Sequence, residues 1–181
     1  MADGDDIPEF KFIPEYADLI ASIASCWATL EFYVNNSIWI VAAVDSQTGA
    51  CMTSQIYTLQ GRLAALLSLL KLHKAPSNLI SRVNKFAENI RRPQENRNRV
   101  VHDIWLMDNR NPGSMGRLET TAPKKLQFKV TDVPREELEA IYAELSACRM
   151  EFYHIRREIV AQRPTFPGIP ESERDPIPRV R

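Results

Sequence analysis

The sequence predicts a mainly α-helical domain, a four-helix up-down bundle with a small β-hairpin inserted before the last long helix. Three observations predict it. Apolar residues recur at alternating steps of four and three in four separate stretches, which is the period of a helix burying one stripe. One short stretch near residue 128 alternates with period two, as a half-exposed strand does. Prolines at 164, 167, 170, 176 and 178 crowd the C-terminus and close the last helical pattern.

Residues 1–13 read as an irregular lead-in. Tyr16, Ile20, Ile23, Trp27, Leu30, Val34 and Val41 then mark the first long helix. Asp45 to Gly49 is turn-like and ends it. Ile56, Leu59, Leu63, Leu66 and Leu70 repeat the pattern in a second helix. Ala75-Pro76-Ser77 breaks the chain, with Ser77 placed to cap the next helix. The third helix runs through Leu79, Val83, Phe86 and Ile90, meets Pro93, and resumes through Val100, Ile104 and Met107. Pro93 should kink it or open a new segment. Arg117–Thr121 and Leu126–Val130 form the predicted hairpin. The last helix starts near Pro134 and carries Leu138, Ile141, Leu145, Cys148, Phe152, Ile155 and Ile159. The domain is thus expected over 14–162, with a Pro-rich tail over 163–181 lying extended on the surface or mobile. No internal repeat and no second domain is visible.

Of the 181 residues, 44% are hydrophobic and 25% charged, a soluble globular composition. Net charge is zero, but it is unevenly spread. Residues 1–31 hold seven acids against Lys11, and residues 80–130 hold eleven Lys and Arg against five acids. Such a basic middle suits an anionic ligand, and equally suits a solvated face. The three cysteines (Cys26, Cys51, Cys148) show no disulfide or zinc spacing and read as reduced thiols. No metal or other cofactor is expected. The N-terminus lacks the form of a signal peptide. The most apolar runs, 19–30 and 32–44, are separated by Glu31, and each falls short of a membrane span. A cytoplasmic protein without membrane contact is expected.

The chemistry concentrates in the third helix. Asn98 and His102 are four apart, so one helix face carries both. Arg97 lies five before His102, about 140° around the barrel, within reach for a long side chain. Arg97 also falls on the apolar seam 79, 83, 86, 90, 93, 97, 100, where leucine would be ordinary. A charge there needs a partner: Glu31, Glu95, a second subunit or a phosphate. By spacing alone the cluster is a polar site able to hold an anion. A solvated polar turn is the structural alternative.

The segment Glu95-Asn96-Arg97-Asn98-Arg99-Val100-Val101-His102-Asp103-Ile104-Trp105 resembles the signature of the HEPN superfamily. That signature is Arg, a polar residue often Asn, three more residues and His, late in the third long helix of a four-helix bundle. The order of elements is similar over roughly 14–162. The resemblance implies a homodimer and a metal-independent ribonuclease leaving a 2′,3′-cyclic phosphate, with toxin–antitoxin, defence or RNA-processing roles. Arg97 and His102 would be the catalytic pair, with Asn98 positioning them. An imidazole can take a proton from a 2′-OH or give one to the leaving 5′-oxygen. A guanidinium can grip phosphate oxygens as charge builds on them. A single His cannot easily be acid and base at once, which favours two motifs at one cleft. Partners implied are RNA, a second copy, and an antitoxin or nucleotidyltransferase. Some members carry a Tyr two places after the His, which such a nucleotidyltransferase modifies; Ile104 stands there in this chain. Members that only dimerise or bind nucleotide or RNA give the alternative reading.

Around the motif, Arg99, Arg92 and Arg62 are candidate substrate-binding residues. Arg91, Arg110, Lys124 and Lys125 are further guides for an RNA backbone, or surface charge. Glu31 is a structural partner for Arg97 or Arg62, and Asn35, one turn on, a hydrogen-bonding residue within the bundle. Trp105 packs beside the motif. His73 and His154 are structural or solvated.

Overall fold

The computed structural model describes residues 13–107, 115–121 and 127–169. They form a mainly helical structure of six α-helices with one small antiparallel sheet.

Helix α1 spans Pro14–Ala42. It opens on Pro14, whose missing N–H costs nothing in a first turn, and continues across Glu31 as one 29-residue helix. By length and composition it could cross a membrane. Its stripe of Ile23, Trp27, Leu30, Val34 and Val41 supplies the core.

Helix α2 (Ser46–Thr53) occupies the stretch expected to be a turn. Asp45 is its N-cap: its carboxylate accepts from the backbone N–H of Gln47 at 2.9 Å and of Thr48 at 3.0 Å. Gly49 serves close packing rather than helix breaking. A Cβ there would sit 2.4 Å from Trp39 Cγ. The second predicted helix is α3 (Leu59–Leu72), which starts after Ile56, with Thr58 accepting from Gly61 N–H.

Helices α4 (Ser77–Asn89) and α5 (Arg91–His102) form the interrupted third element. The cap of α4 is Pro76, not Ser77, and makes no side-chain hydrogen bond. The break is the single residue Ile90, which stays in the right-handed helical region. Pro93 falls in the first turn of α5, where a missing N–H is tolerated.

The expected run through Ile104 and Met107 is not helical. Asp103 is extended (ψ 153°), and residues Ile104–Met107 form strand β1. The indole of Trp105 turns back to donate to the Val100 carbonyl at 2.8 Å, satisfying a group the helix end leaves open. The expected hairpin is therefore a three-stranded sheet, with β1 paired to β2 (Met115–Thr121) and β2 to β3 (Gln127–Val133). Its inner face buries Trp105, Met115, Arg117 and Val133. Ile104 and Val130 lie on the exposed side.

Helix α6 (Arg135–Gln162) begins where expected. The chain then turns through a short 3₁₀ segment (Arg163–Thr165) instead of lying along the surface. Phe166 and Ile169 are buried in the core. Gly168 bonds His73 in both directions, its N–H to the His73 carbonyl and its carbonyl to Nδ1. The expected irregular lead-in, up to residue 12, and the tail beyond 169 lie outside the described residues.

Helix directions follow from named contacts. Tyr16 donates to the Val133 carbonyl and Arg156 to Asn36, so α1 and α6 run the same way. Arg82 pairs with Glu158 and Phe86 stacks on Phe152, so α4 runs against α6. The short 73–76 link turns α3 against α4, and thus parallel to α1. The long helices do not alternate in direction along the chain. Helix α2 and residues 54–58 carry the chain back beside α1 before α3 starts.

Candidate functional site

Three predicted residues meet at the end of α5. Arg97 is half-buried and leans toward α1, where its guanidinium carbon lies 5.7 Å from the ring centre of Trp27. Trp27 is itself buried, so the contact is a cation–π pair at the edge of the core. Arg97 Nε is buried with no hydrogen-bond partner. The head of the side chain emerges at the surface. There Nη1 donates to Asn98 Oδ1 at 3.2 Å and lies 3.4 Å from His102 Nε2. An arginine can only donate, so in that contact Nε2 carries the lone pair and Nδ1 the proton. Asn98 and His102 are exposed.

The seam position of Arg97 accounts for this geometry. Ile90, Pro93 and Val100 are buried on the same face of the rod. Arg97 shares that face, and its charge reaches the surface by running along the indole.

His102 is fixed by where α5 stops. It is the last helical residue. Beyond it Asp103 pairs with buried Arg117 at 3.3 Å, and Trp105 packs edge-on against Tyr16. The sheet therefore clamps the C-terminal end of the motif while leaving the imidazole in solvent.

Glu31 pairs with Arg62 at 3.3 Å, not with Arg97. Arg62 Nε is also bound to the Ile56 carbonyl at 2.9 Å. This ties α3 to α1 one turn beyond Trp27. Arg99 and Arg92 are exposed on α5, as is Arg91. Arg92 is ten residues before His102, about 15 Å along the helix, and lies outside the cluster. Arg110, Lys124 and Lys125 are outside the described residues. Asn35 Oδ1 is buried without a partner, and the bond expected of it is made by Asn36 to Arg156.

Trp27 is the site residue that sequence reasoning passed over. It lay on the α1 stripe like any core residue. Its signal is that the seam of α5 offers a guanidinium where the opposite stripe offers an indole.

Among the described residues, the open grooves beside the helices include two with polar linings. One, about 490 Å³, lies between α1 and α6 beside Cys26 and Arg149. The other, about 610 Å³, lies between α3 and α4 beside Lys71 and Lys85. Neither includes Arg97, Asn98 or His102. Asn98 and His102 are exposed, so the cluster meets the surface. Among the described residues, no group of three or more His, Cys, Asp or Glu side chains is placed to hold a metal ion.

Two of the thiols, Cys26 and Cys148, are raised by their surroundings. Burial pushes the Cys26 thiol up, partly offset by nearby Arg149. Burial, with Glu144 and Glu151 close by, pushes Cys148 up to about 11. No family model, curated protein or solved structure matches this chain.

Proposed function

We propose that Arg97, Asn98 and His102 form the active site of a metal-independent endoribonuclease of HEPN type, built on a four-helix core. The observation that carries the reading is the placement of His102 Nε2 at 3.4 Å from a guanidinium already anchored on Trp27. A phosphate that accepts from Arg97 Nη1 would lie beside the imidazole nitrogen that must handle the proton.

The reaction follows from these roles. His102 Nε2 takes the 2′-OH proton. The 2′-oxygen attacks phosphorus, and the bond to O5′ breaks. The products are a 2′,3′-cyclic phosphate and a 5′-hydroxyl, whose proton comes from an acid on the opposite side of the phosphorus. Arg97 stabilises the negative charge gathering on the phosphoryl oxygens. Asn98 keeps Nη1 from swinging away, because its Oδ1 accepts from that nitrogen. One exposed imidazole serves a single side of an in-line displacement. A second copy of the chain, bringing its own motif, completes the acid–base pair. A cytoplasmic toxin or defence protein, held by an antitoxin or a nucleotidyltransferase, is the setting this reading fits.

The second reading is a non-catalytic module that dimerises or binds nucleotide or RNA. The packing of Arg97 on Trp27 favours it, because that contact has structural value without any chemistry. Incubation with RNA in EDTA, beside His102→Ala, separates the two. The nuclease reading expects cyclic-phosphate ends from the wild type and none from His102→Ala, with equal melting temperatures. Absence of cleavage by the wild type would leave the binding module.

A further inference from the structure

Although the chain as a whole is neutral, its segment from Lys71 to His102 is basic. Between Lys71 and His102 there are eight Lys and Arg against Glu88 and Glu95. This stretch is the C-terminal end of α3 followed by the α4–α5 rod. Among the described residues, Arg82 pairs with Glu158, whereas Lys71, Lys85, Arg91 and Arg92 make no ion pair. All four are exposed.

The α3–α4 groove is lined largely by this segment. Lys71 stands on one wall and Lys85 on the other, with Ser81, Asn84 and Asn89 between them. Glu88 is the carboxylate of the lining, and Asn84 Nδ2 donates to it at 2.9 Å. The groove shares a side with the candidate site. Asn84, Arg91, Asn98 and His102 are seven, seven and four residues apart, so they follow one face of a nearly continuous rod. Ile90 preserves that continuity, since its N–H bonds the Phe86 carbonyl and its carbonyl accepts from Gln94 N–H. From Lys85 to His102 the rod is about 25 Å long. That is the scale of the tracts, roughly 4–16 nucleotides, that electrostatic grooves follow along single strands.

We propose that the α3–α4 groove is a second subsite for the RNA backbone, holding a single strand whose reacting phosphate lies at Arg97 and His102. Lys71 and Lys85 take phosphates in the groove, and Arg91 and Arg92 bridge the span to the motif. The substrate class is then an extended single strand, longer than the few nucleotides that the Arg97 cluster touches. The proposal rests on the nuclease reading for the position of the reacting phosphate, but the subsite is tested by binding.

The test uses the full chain with non-cleavable 2′-O-methyl oligonucleotides of 4 and 12 nucleotides, followed by fluorescence anisotropy. Lys71→Glu/Lys85→Glu should weaken the 12-mer at least tenfold and leave the 4-mer unchanged. The salt dependence of 12-mer binding should flatten by about 1.4 in log–log slope, at roughly 0.7 for each of the two phosphates released. Both lysines are exposed, so an unchanged melting temperature is expected. Equal 12-mer affinity in the two proteins, or no 12-mer binding by the wild type, overturns the subsite. A failed nuclease reading shows separately, as absence of cleavage of ordinary RNA while the lysine-dependent binding persists.

Discussion

Arg97 makes two sets of contacts, and substitutions separate them. Its stem lies on Trp27, and its head faces Asn98 and His102. Arg97→Lys keeps a cation over the indole but removes the planar fork that would grip a phosphate in the proposed nuclease. It should melt near the wild type and reduce RNA cleavage by at least about 100-fold, the scale of removing one transition-state donor. Trp27→Ala removes a buried aromatic and should cost about 3–5 kcal/mol in denaturant unfolding. Cysteine chemistry checks the surroundings independently. Cys51 is exposed, Cys26 is buried and Cys148 is held near 11. The thiolate is the reactive form, so at pH 8 an alkylating reagent should label Cys51 first. Labelling of Cys148 should climb only as pH approaches about 11. Mass spectrometry of the labelled peptides reads this out, and fast labelling of Cys148 at pH 8 would contradict the packing of α1 on α6.

At the scale of elements, periodicity made the long helices legible. Helices α1, α3 and α6 and the α4–α5 rod all carry the stripes that the sequence displays, because burial of one face leaves a direct trace in residue order. Short elements left no such trace. Helix α2 was hidden because Asp45 and Gly49 are common turn residues, and only tertiary contact shows one as a cap and the other as a cleft for Trp39. Gly49→Ala should therefore destabilise, by about 1–3 kcal/mol for an overpacked contact, as read by chemical denaturation. The Asp45 carboxyl lies below the usual carboxylate range, first because Thr48 donates to it through its hydroxyl. A depressed carboxylate stabilises fully above its unfolded value and loses that contribution as pH falls through the folded one. Asp45→Ala should lower the melting temperature at pH 7 and narrow its difference from the wild type at the acid end. The misread end of α5 has a similar cause. Ile104 and Met107 continue the four-three spacing by coincidence, and the Trp105–Val100 bond that stops the helix is invisible to periodicity.

For the whole molecule, direction was the hardest property to read. Four stripes suggested alternating helices, yet α1, α3 and α6 run together because α2 returns the chain. The candidate site was more legible than the topology, since Arg97, Asn98 and His102 are local in sequence and the helix brings them together directly. Its long-range support was not legible: Trp27 under Arg97, and Arg117 on Asp103. The same fold sets α4 and α5 end to end, so that the basic segment leads to His102. The most direct test of the proposed nuclease is cleavage of a single-stranded RNA in EDTA, with end-group analysis, for the wild type and His102→Ala. The proposed role of His102 predicts 2′,3′-cyclic phosphate ends from the wild type and at least about a 100-fold loss in the variant, with both proteins melting alike. An intact RNA in the wild-type reaction, or equal cleavage by the two proteins, would contradict it.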